Sequence, residues 1–123
     1  MNIKSPTCIT VAHLRQVSPK YKGGVVRRLV IFYKFIGLPQ NQIHERIKYW
    51  LQRQDKMTKY SLFKFYQGDE DIKEAIDWAA DEYDSGRCIF SCDLMWQCPI
   101  FKYGCEKKNC KVHKLLEITR REL

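Results

Sequence analysis

Gly23-Gly24-Val25-Val26-Arg27-Arg28-Leu29-Val30-Ile31-Phe32-Tyr33-Lys34-Phe35-Ile36-Gly37-Leu38 is the stretch on which the fold turns. Val26, Leu29, Val30, Phe32, Tyr33 and Ile36 make it apolar enough for a largely buried helix. Gly37 ends that helix, because glycine enters the left-handed backbone region at no steric cost. Val25 to Leu38 is also the most apolar segment of the chain, yet Arg27, Arg28 and Lys34 interrupt it. A membrane span needs about 20 largely apolar residues in a row, so none is expected. No basic start leads into an apolar run of signal-peptide length, and the expected location is intracellular, in the cytoplasm or nucleoid.

Working outward, Ser18-Pro19-Lys20-Tyr21-Lys22 and the two glycines form a basic loop ahead of that helix. Ser5-Pro6 reads as an N-cap and first helical position for a short helix through Ile9 to Leu14. Downstream, Pro39 restarts the chain. Ile43, Ile47, Trp50 and Leu51 then fall at helical spacing, with Arg46, Lys48, Arg53 and Lys56 on the polar side. That predicts an amphipathic helix with a basic outer face.

Tyr60, Leu62, Phe63, Phe65 and Tyr66 are read as helix, with extended structure the alternative. Gly68-Asp69 opens a clearer helix with Ile72, Ala75, Ile76, Ala79, Ala80 and Tyr83 on one stripe. Its Asp69, Glu70 and Asp71 lie where the positive helix end favours anions, and no partner carboxylates point to a catalytic metal there. Lys111 to Leu123 reads as a terminal helix. At 123 residues the chain has the size of one domain spanning 1–123. The expected fold is all-α, a small bundle of five or six helices with an irregular cysteine-rich loop.

Twenty-two Lys and Arg stand against 14 Asp and Glu, a net charge of +8 with a pI near 9.2. A field of that sign attracts phosphate backbones and is rewarded by counterion release, so nucleic acid is the leading class of partner.

Cysteines supply the sharper signal. Cys88, Cys92, Cys98, Cys105 and Cys110 share one segment, while Cys8 stands far upstream. Inside a cell thiols stay reduced, which favours metal or iron-sulfur ligation, although hyperthermophile proteins can hold disulfides. The spacing lacks both the Cys-x2-Cys knuckles of common zinc sites and the Cys-x2-Cys-x2-Cys run of bacterial ferredoxins. Three readings stay open: an iron-sulfur cluster, zinc held by Cys98, Cys105, Cys110 and His113, or buried and disulfide-bonded cysteines without metal. His13 and His44 are read as ordinary surface or core histidines.

The order Pro6-Thr7-Cys8, Gly23-Gly24, Phe35-Ile36-Gly37-Leu38, Tyr60-Ser61, Ser91-Cys92, Cys98-Pro99, Cys110 runs over nearly the whole chain. In that order it resembles the C-terminal iron-sulfur domain of the large subunit of archaeal and eukaryotic DNA primases, and is similar to the helix-bundle domain of archaeal plasmid primases. The resemblance implies a 4Fe-4S cluster on Cys8, Cys92, Cys98 and Cys110, with Cys105 as an alternative ligand and Cys88 spare. It also implies Lys20, Lys22, Arg27, Arg28 and Lys34 for phosphate, with Tyr21, Tyr60 and Lys64 beside them.

The function so implied is a non-catalytic accessory domain. It would bind single-stranded DNA template and an initiating nucleoside triphosphate, while a separate catalytic primase subunit or domain performs primer synthesis. No acidic set on strands is visible to hold two catalytic metals. The alternative is a zinc- or disulfide-stabilised protein-interaction module whose basic face is incidental, and a thiol redox enzyme ranks below both.

Overall fold

A computed structural model describes residues 22–57, 69–99 and 101. Four α-helices lie within them: α1 (Lys22–Phe35), α2 (Gln40–Met57), α3 (Asp69–Asp84) and α4 (Cys92–Trp96). The described residues are all-α, with no strand among them. The helices expected at 9–14, across 60–66 and over 111–123 lie outside the described residues.

The opening stretch behaves as its apolarity requires. Val25, Val26, Leu29, Val30, Ile31, Phe32 and Tyr33 are all buried, so α1 is enclosed on nearly every side and forms the spine of the core. It packs most extensively on α3 and also on α2. From α2 come Ile43, Ile47, Trp50 and Leu51, and from α3 Ile72, Ile76, Ala79 and Ala80. Phe90 closes the end, stacked on Phe35 at 4.7 Å between ring centroids and tilted against Phe32 at 5.7 Å. Met95 and Phe101 complete the lid.

Gly37 ends α1 at φ +85°. The Gly37 amide donates to Lys34 O and the Leu38 amide to Tyr33 O, a Schellman closure that satisfies two terminal carbonyls. Leu38 folds back on the core, and the Pro39 carbonyl accepts the amides of Gln42 and Ile43 in the first turn of α2. Gly86 performs the corresponding turn after α3 at φ +79°.

The cysteine segment is less irregular than its lack of periodicity implied, because residues 92–96 form a helical turn. Ser91 is its N-cap: the Oγ accepts the Leu94 amide at 3.0 Å. A serine before Cys-Asp is a local start signal, but five residues are too few for an apolar period to emerge.

Candidate thiol and nucleic-acid site

Arg28 decides where the cysteine segment sits. Beyond α4 the chain tightens, so the Cys98 amide bonds Met95 O and leaves Leu94 O free. Arg28 Nε donates to that carbonyl at 2.7 Å, while Nη1 donates to Gly24 O at 3.1 Å and Nη2 to Gln97 Oε1 at 3.3 Å. The side chain is only 7% exposed. Its pKa is lowered, chiefly by desolvation and further by Arg27, against the opposing pull of Cys98 and Cys88. Gly24 is small where this happens, since a Cβ there would lie 3.2 Å from Arg28 Nη1.

One residue earlier, Arg27 lies between α3 and the thiols. Its Nε and Nη2 are each 3.5 Å from the Glu82 carboxylate, within ion-pair range but too poorly aligned for Nε and Oε1 to count as hydrogen-bonded. Nη2 also points at Cys88 Sγ, 3.7 Å away. The Cys88 amide donates to Glu82 O, so the backbone holds this thiol beside both charges. Cys88 and Cys98 are buried, and Cys92 is half-buried.

Of the four cluster ligands implied by the resemblance, Cys92 and Cys98 stand at the start of α4 and just past its end, while Cys8 and Cys110 lie outside the described residues. So do the alternative ligands Cys105 and His113. Among the described residues no group of three ligating side chains converges on one point. The donor chemistry of the described pair does fit a thiolate-held centre, because the Arg28 guanidinium is bonded to Leu94 O and Gln97 Oε1 on the segment that carries both thiols. Cys88, set aside as spare in the sequence, is the thiol in direct contact with a guanidinium. Its closeness to Arg27 has no signal in spacing, since 61 residues separate them.

The proposed phosphate-binding cations are distributed differently from a free surface patch. Arg27 and Arg28 are engaged as described, and Lys34 Nζ pairs with Asp84 at 2.9 Å. Lys22 begins α1. Lys20, Tyr21, Tyr60 and Lys64 lie outside the described residues.

Between α2 and α3, Asp77 collects Gln40 Nε2 and His44 Nε2, both at 2.9 Å, with Lys73 at 3.6 Å. Desolvation pushes the Asp77 carboxyl up, but the bonds from Gln40 and His44 and the nearby cations bring it below its ordinary value. The neighbouring groove of about 240 Å3 is bordered by Lys48 and Asp69, paired at 3.4 Å. Lys73, also on its lining, pairs with Asp77.

No helix among the described residues is long and apolar enough to cross a membrane. The chain matches no protein-family model, no curated protein and no solved structure.

Proposed function

We propose that this chain is a non-catalytic primase accessory domain, which holds single-stranded template DNA and an initiating nucleoside triphosphate for a separate polymerase-fold subunit or domain. One observation carries the reading: the late-thiol segment is fastened to the N-terminal half of α1 through Arg27 and Arg28. That half of α1 is where the chain arrives from Cys8 and the basic loop Lys20-Tyr21-Lys22.

Cys8, Cys92, Cys98 and Cys110 would hold the centre, with Cys105 as substitute. A 4Fe-4S cluster, when bound, would supply a covalent cross-tie between the two ends of the domain. Arg28 places positive charge beside Cys98 and fixes the α4 turn that presents Cys92 and Cys98. The basic loop, with Tyr21, Tyr60 and Lys64, would receive template phosphates, bases and the triphosphate.

The test joins two measurements on anaerobically prepared full-length chain. Iron and sulfide in brown protein, together with oligo(dT) binding that weakens steeply with salt, are the expected results. Colourless zinc protein or metal-free protein that ignores oligo(dT) and nucleoside triphosphates would favour the interaction module instead. Primer synthesis by the chain alone would overturn the non-catalytic assignment.

A further inference from the structure

The outer face of α2 takes no part in the thiol arrangement. At about 100° per residue, Arg46, Tyr49, Arg53 and Lys56 fall within one arc of roughly 80°, on the flank of α2 away from the buried Ile47 and Leu51. Tyr49 is 61% exposed, unusual for an aromatic residue with α1 core so near. Arg46 and Lys56 are exposed and Arg53 is half-buried. Neither Arg53 nor Lys56 has an ion-pair partner among the described residues. Arg46 is held by the Tyr33 ring beneath it, 5.6 Å from the centroid, so its charge is positioned in advance.

Charge is strongly divided between the two helices. Asp69, Glu70, Asp71, Glu74, Asp77, Asp81, Glu82 and Asp84 all stand on α3, with Lys73 its single cation. α2 turns His44 and Lys48 towards those acids, through Asp77 and Asp69. The arc from Arg46 to Lys56 is on a different side of α2, with Glu45 the exposed carboxylate at its margin. An anion repelled by α3 thus meets, on this side of α2, three cations around an exposed ring.

We infer that Arg46, Tyr49, Arg53 and Lys56 form a contact track for single-stranded DNA, in which Tyr49 stacks on a base and the three cations follow the phosphates. Cations spaced around an exposed ring suit a strand whose bases are unpaired and free to stack, whereas a duplex hides its base faces. From Arg46 to Lys56 the helix runs about 15 Å, enough for several phosphates of one strand. The inference rests on the template-binding reading and deepens it, by giving the strand a path that the sequence did not assign.

Fluorescence anisotropy of full-length chain with labelled oligo(dT) tests the track. Tyr49→Ala should weaken binding about 5- to 100-fold and Tyr49→Trp should restore it. The double variant Arg53→Ala, Lys56→Ala should lower the slope of log affinity on log salt by about 1.4. Lys73→Ala, off the track, should leave affinity unchanged, and unchanged thermal midpoints establish that all variants fold. Wild-type binding that survives every track substitution overturns this inference while sparing the template-binding reading. No wild-type binding sinks both. Loss of self-association in sedimentation, with oligo(dT) affinity intact, assigns the face to a second copy and overturns the DNA track.

Discussion

Arg28 is a cation that a reader of sequence assigns to solvent or to phosphate, and the fold uses it as an internal fastener. Burying a guanidinium is costly unless its donors are satisfied, and here three acceptors from Gly24, Leu94 and Gln97 meet its planar fork. Arg28→Ala leaves Leu94 O buried without a donor and should cost about 2–3 kcal/mol, read from urea unfolding. Arg28→Lys should recover only part of that, because an ammonium cannot serve three acceptors spread across a plane. Equal stability of all three proteins would contradict the role described.

Tyr33 makes a second residue-level prediction, through pH. Desolvation raises its phenol to about 12, partly opposed by the charge and hydrogen bond of Arg46. The folded state therefore holds the proton more tightly than the unfolded chain, whose phenol titrates near 10. The resulting stability is complete below pH 10 and is lost as pH rises towards 12. Urea midpoints should fall across that window, and the fall should be shallower in Tyr33→Phe. Parallel profiles for the two proteins would show that the phenol does not contribute.

Among elements, α1 and its two glycine contexts separate conformational need from mere presence. Gly37 sits at φ +85° in the Schellman turn, where a side chain is strained even though the surrounding space is open. Gly37→Ala should destabilise by about 1 kcal/mol. Gly23 lies in the first turn of α1 with nothing within reach of an added Cβ, so Gly23→Ala should raise stability by about 0.5–1 kcal/mol. Thermal melts with opposite shifts would bear this out. The periodic helices α1, α2 and α3 were legible because each carries its apolar stripe over three or more turns. The α4 turn was not, since its start depends on one serine and its position on Arg28 from a distant helix.

Across the whole molecule, α1 forms the spine against which the other described elements pack, and the consequences of substitution should follow that geometry. Leu29, 0% exposed on α1, should cost about 2–5 kcal/mol when changed to alanine, by lost burial and a residual cavity. Trp78→Ala should change stability by no more than about 0.5 kcal/mol despite the larger truncation, because Trp78 is 60% exposed on α3. Comparable losses at both positions in denaturant titrations would mean that Trp78 carries packing the described structure lacks.

The amino-acid order by itself determined the all-α character of the described residues, the boundaries set by Gly37 and Pro39, and the basic side of α2. Those follow from local backbone preference and from apolar residues recurring at the helical period, which need no knowledge of partners. Tertiary structure alone decided which cations are spent inside the protein and which remain outward. Arg27, Arg28 and Lys34 meet Glu82, Leu94 and Asp84 across gaps of fifty residues or more, and no local pattern encodes an encounter between side chains that far apart. Burial forces those charges to find acceptors, whereas an exposed cation such as Lys56 carries no such requirement.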